Sequence, residues 1–321
     1  MNNSLIGQSG FHPWDAPTTH EFQHTIKSTY CIPSIDYNWW VNGTNSEGWD
    51  GPRFYDEVYR LNKDHNMILT FGDIPEDKFV EFVQMITKRY PTWGVSPICE
   101  IEDPVKSSKI IKQFRAALPE VRLVGPNLMN DYTPGYMDYL VSTGAMGCLD
   151  VVSMHDYFAC PGNGSAPKAP WDKLPYFHPN ASVNGYPNLL GRIRWMESYV
   201  KHLRQSTFAG PKVILTEYGI YNVNVDDAKQ AALVSKFTGV PLILSTPHSP
   251  NTIYPYSNGV WDLTTMIPSW SLPIQEYLKT MDFSDEKVKS EMLIYFPDII
   301  PPKKRTWWQQ ILFKLFGLYK K

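Results

Sequence analysis

The chain has 321 residues, enough for one large α/β barrel or two ordinary domains, and with 43% apolar and 19% charged residues it can bury a sizeable core. A net charge of −2, from 30 basic and 32 acidic side chains, gives none of the basic character of a nucleic-acid-binding surface, so no nucleic-acid partner is expected. Its four cysteines, Cys31, Cys99, Cys148 and Cys160, form no CxxC pair, which argues against a zinc knuckle or a dense disulfide framework.

In chain order, a first strand is predicted over Leu5–Phe11, and the residues before it lack the basic and apolar regions of a signal peptide. His12 and Trp14 follow this strand. Tyr30–Asp36 reads as a second strand, followed by Asn38, Trp39 and Trp40, then by a helix at Arg53–His65. Met67–Gly72 is a third strand with Asp73 at its end. In the next helix, Glu76–Tyr90, the residues Phe79, Val80, Phe82, Val83 and Ile86 recur at helical spacing until Pro91 stops the run. Gly94–Glu102 reads as a fourth strand ending in Glu100, Glu102 and Asp103, with a helix at Val105–Leu118 after it.

Arg122–Asn127 and Leu149–His155 read as the fifth and sixth strands, the latter leading into Asp156 and Tyr157. A Pro-, Gly- and Asn-rich stretch, Phe158–Asn188, is long for a connection inside a compact domain and is expected to border a site. A helix at Leu189–Gln205, a seventh strand at Lys212–Glu217, a helix at Val225–Thr238 and an eighth strand at Pro241–Thr246 complete the series. Eight strands alternating with helices predict a parallel (β/α)8 barrel occupying residues 1–300.

Residues 301–321 differ from the rest. Lys303-Lys304-Arg305 and Lys320-Lys321 flank Trp307–Tyr319, with no acidic residue in the segment. That pattern suits an amphipathic helix at a membrane surface or on a protein partner, or one docked on the barrel. No run of the sequence approaches the length of a membrane span.

In such a barrel the residues at the carboxyl ends of the strands share one open bowl. Here those ends are crowded with acids, indoles and amides, as a polyhydroxylated substrate requires, and the high aromatic content suits the C–H faces of sugar rings. Carboxylates on strands four and seven face each other across the bowl. Two carboxyls about 5–5.5 Å apart suit a retaining glycosidase, one attacking the anomeric carbon and the other donating a proton.

Several motifs make the comparison specific. Thr216-Glu217-Tyr218-Gly219 closes strand seven, Val152-Ser153-Met154-His155-Asp156-Tyr157 forms strand six, Ile35-Asp36-Tyr37-Asn38-Trp39 ends strand two, and Leu123-Val124-Gly125-Pro126 lies in strand five. Over Gly7 to about Asp262 the chain resembles the clan A glycoside hydrolases, especially family 39. The resemblance implies a barrel glycosidase without metal or organic cofactor, acting on a carbohydrate with Glu217 as nucleophile. It implies substrate contacts from His155, Tyr157 and Trp39; the strand ends add Tyr218, Asp36, Asn38, His12, Trp14, Asp73 and Asn127.

The sequence departs from the family in two places. Where the family has Asn-Glu-Pro after strand four, this chain has Glu102-Asp103-Pro104, which leaves both Glu102 and Asp103 as acid/base candidates, Glu102 having the usual reach. Where the family has an Arg on strand two near the nucleophile, this chain has Ser34. Losing that cation would raise the nucleophile's pKa. The alternative to a glycosidase is therefore a barrel that binds a glycan or serves an assembly without turnover.

Overall fold

A computed structural model of the chain describes residues 6–9, 30–43, 50–72, 74–98, 101–129, 135–158, 182–183, 186–220, 225–244, 280–282 and 284–295. His12, Trp14, Asp73 and the tail from residue 301 onward lie outside them, and at Tyr157, Glu217 and Tyr218 only the backbone is described.

The elements run β1 Ile6–Ser9, β2 Tyr30–Ile32, β3 Ser34–Ile35, α1 Tyr37–Asn42, α2 Gly51–Asn62, β4 Asn66–Phe71, α3 Phe79–Arg89, β5 Gly94–Ser96, α4 Pro104–Ala117, β6 Val124–Met129 and α5 Tyr136–Ser142. They continue with β7 Val151–Phe158, the short pair β8 Ser182–Val183 and β9 Tyr186–Pro187, α6 Asn188–Tyr199, β10 Val213–Ile220, α7 Val225–Thr238, β11 Leu242–Leu244 and α8 Asp285–Tyr295. β2 and β3 are one strand interrupted at Pro33: both pair with β4, and the Pro33 carbonyl accepts from the Thr70 N–H at 3.0 Å.

All eight predicted strands are therefore present, and every pairing in the main sheet is parallel, in the order β3-β4-β2-β1-β11-β10-β7-β6 with β5 on the free side of β4. The predicted closed ring is only partly met, because no continuous ladder joins β5 to β6. One parallel bridge, Val95 to Leu123, spans them, with the Val95 N–H donating to the Arg122 carbonyl at 2.8 Å. Proline explains the gap. Pro97 has no N–H to continue the ladder, so β5 stops at Ser96, whose hydroxyl turns onto the Ile98 carbonyl (3.2 Å). This also corrects the fourth strand, which was expected to run to Glu102.

Side chains alternate between two cores. Tyr30, Ile32, Ile68, Val124, Val151 and Ile214 form one cluster, with Trp93 against it. Their strand neighbours, among them Met67, Leu69, Val152, Met154, Val213 and Leu215, belong to a second cluster shared with helix residues such as Phe54, Val83, Ile111 and Phe114. Strands buried on both faces read as continuous apolar runs, which is why the sequence showed them clearly. Arg122 seals the amino-terminal end of the inner cluster: its guanidinium lies 3.8 Å from the Trp93 ring centre and donates to the Ala209 carbonyl at 2.7 Å.

The helices follow local signals. α2 is capped by Asp50, which accepts from the Arg53 N–H at 2.7 Å, and buries Phe54, Tyr55, Val58 and Asn62 along one stripe. Arg115, near the end of α4, reaches the wholly buried Asp150 just before β7 at 2.5 Å. The same carboxylate oxygen of Asp150 accepts from the Leu123 N–H at 2.9 Å, and Arg115 also donates to the carbonyls of Cys148, Leu118, Pro119 and Val121. A helix, a strand start and a loop are thus tied by one ion pair. α8 packs on α7 through Lys229 and Glu291, 2.7 Å apart.

Candidate active site at the carboxyl ends of the strands

Along the inner face the chemistry changes one layer above the apolar cluster. Two residues beyond Ile68, Val151 and Ile214 come Thr70, Ser153 and Thr216, and Ser96 and Asn127 lie beside them on β5 and β6, all buried. Asn127 is the hub. Its amide nitrogen donates to the Ser96 hydroxyl and to the Ile98 carbonyl (2.8 Å), while its amide oxygen accepts from the Ser153 hydroxyl and from the Thr216 hydroxyl (2.6 Å). The Ile98 carbonyl can only accept, so it fixes which end of the amide faces β5. The Asn127 N–H donates to the Ser153 oxygen at 3.2 Å.

An asparagine amide offers two N–H groups and two lone pairs, and here all four are used. Asn127 was expected at the substrate; its side chain is instead inaccessible and fully engaged by three other strands and a loop. Its φ of 53° is one that asparagine tolerates better than most residues.

Two strands slip register at this layer. On β6 the pairing with β7 slips between Pro126 and Leu128, and on β10 it slips between Leu215 and Glu217. Beyond them Met129 pairs with His155, and so does Glu217, while Tyr218 pairs with Asp156 and Gly219 with Tyr157. The backbone thus brings Glu217 beside His155, which is itself buried.

At the end of the second strand Asp36 serves as a helix cap. Its carboxylate accepts from the Trp39 N–H at 2.7 Å, and its own N–H donates to the Tyr55 hydroxyl at 3.0 Å. Burial pushes the Tyr55 phenol up to about 12. Trp39 packs on Phe54 and Tyr55, with ring centres 4.7 and 5.5 Å away, while Asn38 and Ser34 are exposed. Gly43 leaves room for that indole, since a Cβ there would fall 1.5 Å from the Trp39 ring. Beside Asp36 a cleft of about 540 Å³ opens between α3 and α4, lined by Gly72, Ile98, Ile101, Lys106 and Lys109 among others. Of the predicted residues with described side chains, Asp36 alone lines it.

Glu102 and Asp103 stand in the segment between β5 and α4, and both are exposed. Asp103 caps α4: its carboxylate accepts from the Val105 N–H at 2.8 Å, with Pro104 in the first turn. Tyr136 anchors the segment from below, its hydroxyl 2.9 Å from the Ile101 carbonyl and 2.6 Å from the Ser107 hydroxyl. Burial pushes this phenol, too, up to about 12.

The structure therefore joins Glu217 to His155 and Asp36 to Trp39, and sets Glu102 and Asp103 apart on the α4 approach. It adds Ser96, Ser153, Thr216, Tyr55 and Tyr136, which hold the others and which the sequence reading had not singled out. Ser153 and Thr216 were visible as hydroxyls at alternate positions of apolar strands. Among the described residues no group of three His, Cys, Asp or Glu side chains could hold a metal ion, and no helix is long and apolar enough to cross a membrane.

No protein-family model matches the sequence, and no curated protein sequence does. Solved structures do match in fold. A family 39 glycoside hydrolase from the gut symbiont Bacteroides cellulosilyticus WH2 superposes with a TM-score of 0.57 at 15% identity, over 88% of this chain and 64% of that one. The endo-1,4-beta-mannanase of Rhizomucor miehei matches with a TM-score of 0.50 at 13% identity, over 89% and 95% of the two chains. An endocellulase of Pyrococcus horikoshii matches with a TM-score of 0.50 at 14% identity, over 86% and 92%. The fold is like that of clan A glycoside hydrolases, and the chain spans just under two thirds of the family 39 enzyme, 64% of its length.

Proposed function

We propose that the chain is a retaining glycoside hydrolase acting on an oligo- or polysaccharide, with Glu217 as nucleophile and Glu102 as acid/base in a closed (β/α)8 barrel. The observation that carries this reading is the register of β10 on β7, which sets Glu217 beside His155 at the carboxyl end of a parallel sheet. Closure is supported by the Val95–Leu123 bridge and by Asn127, whose amide hydrogen-bonds to Ser96 and Ile98 across the same gap.

The choice between the two acids follows from their surroundings. Asp103 uses a carboxylate oxygen to accept the Val105 N–H at the start of α4, which ties its short side chain to the helix end and away from a substrate. Glu102 has the longer side chain, and so the usual reach of a glycosidase acid. In the first step a Glu217 oxygen attacks the anomeric carbon while the Glu102 proton passes to the glycosidic oxygen and the C–O bond breaks. In the second, the Glu102 carboxylate takes a proton from water, whose oxygen attacks the anomeric carbon and frees Glu217. His155, Tyr157, Tyr218, Asp36, Asn38 and Trp39, with His12, Trp14 and Asp73, would surround the sugar.

One observation favours a second reading, a barrel that binds a glycan without turnover. Ser34 supplies no cation on the second strand, so nothing there stabilises an ionised nucleophile. Glu217→Gln separates the two. It keeps the size and removes the charge, so hydrolysis of an activated aryl glycoside should fall by roughly four orders of magnitude or more while sugar binding survives. A wild type that binds a glycan but hydrolyses none of a broad panel would establish the second reading instead.

A further inference from the structure

Outside the reacting groups, the buried polar layer is the feature that packing does not explain. One layer below, Val124, Val151 and Ile214 fill the same inner face with apolar side chains. Immediately beneath Glu217 and His155 the chain instead spends four strands' worth of buried hydroxyl and amide groups, and satisfies each of them. Buried polar groups are costly unless fully paired, so such a network specifies geometry where apolar residues would specify only volume.

The geometry it specifies is the bulge of β10. Leu215 pairs with Met154, and Glu217 pairs with His155, so Thr216 is the extra residue. Were the ladder regular, Thr216 would pair with His155 and Glu217 with Asp156, in the opposite phase of the pleat. The Thr216 hydroxyl is held by the Asn127 amide oxygen (2.6 Å) and lies 3.4 Å from the Met154 carbonyl. Ser153 holds the same amide oxygen from the strand between.

We propose that Thr216, Asn127 and Ser153 are positioning residues: their network fixes the β10 bulge and thereby the phase in which Glu217 meets His155. The inference rests on the reading of Glu217 as nucleophile.

Thr216→Val tests it, because valine keeps the shape and removes the hydroxyl. Hydrolysis of an aryl glycoside should lose kcat by roughly tenfold to a hundredfold with KM changed by less than about threefold, the signature of a misplaced nucleophile in a retained pocket. Thr216→Ser keeps the hydroxyl and should stay within about threefold of wild type. Should Thr216→Val fail to fold, Ser153→Ala removes the other donor to the same oxygen and should show the same split between kcat and KM. The inference is overturned if Thr216→Val turns over like wild type while Glu217→Gln is inactive. It is also overturned if the valine and serine variants lose activity equally, since packing would then be the cause. A wild type without activity, or a Glu217→Gln variant with full activity, removes the reading of Glu217 and this inference with it.

Discussion

Arg115→Met cuts the ion pair to Asp150 without removing the aliphatic stem that packs beside it. Asp150 is wholly buried and Arg115 nearly so, with 14% of its side chain exposed. Burial lowers the pKa of Arg115, and the neighbouring Asp150 opposes that shift. Removing one partner leaves a buried carboxylate with the Leu123 N–H as its remaining donor, and breaking such a pair costs about 3–5 kcal/mol. At roughly 2–4 °C per kcal/mol for a chain of this class, the melting temperature should fall by about 6–20 °C. Thermal unfolding followed by circular dichroism reads this directly. Adding Asp150→Asn removes the stranded charge and should recover part of the loss, a coupling that a double-mutant cycle measures. If Arg115→Met costs less than about 1 kcal/mol, the pair behaves like an exposed one and the reasoning fails.

Asp103→Ala should destabilise the protein by about 1 kcal/mol through the lost cap of α4, whereas Asp103→Asn should be nearly neutral and keep hydrolytic activity. An asparagine variant as inactive as the alanine one would transfer the acid/base role from Glu102 to Asp103. In alkali, Tyr55 and Tyr136 should weaken the fold, because burial raises both phenols to about 12 and the folded state holds their protons more tightly than the unfolded chain does. Their contribution is complete below about pH 10, the unfolded phenol value, and is lost as pH rises through about 12. Denaturant midpoints that stay flat across that window would contradict it.

Strands such as β4, β5 and β7 were legible because their described residues are buried on both faces, so each wrote a run of apolar residues between turn signals. The helices with wide apolar stripes were legible for the same reason. α1 is hidden in the sequence: within its six residues, Tyr37–Asn42, Trp39 reads as a sugar contact, and the packing of Trp39 and Trp40 on Phe54 and Tyr55 depends on a helix far enough along the chain to be invisible locally. The fourth strand was drawn too long because Ile98 to Ile101 is as apolar as a strand, while the single proline at 97 decides where the ladder stops. Asn127 shows the limit most clearly. Its polarity was visible, but sequence gives the face of a strand and not the depth, and the slips at Asn127 and Thr216 that set the depth arise only from neighbouring strands.

The single bridge between β5 and β6 has a consequence for how the molecule can change. A ring joined everywhere by backbone spreads a load over all its joints; one with a soft joint concentrates movement there. At this joint the stitching beyond Val95 comes from one side chain, the Asn127 amide on Ser96 and Ile98. On the proposed assignment Glu102 hangs from one side of the joint and Glu217 from the other. The gap between two such carboxyls sets whether a glycosidase retains or inverts configuration, about 5–5.5 Å against 6.5–9.5 Å. On that assignment the joint lies between the two acids, so Asn127→Ala, which removes its side-chain stitch, is the variant whose product configuration would show whether the gap has moved.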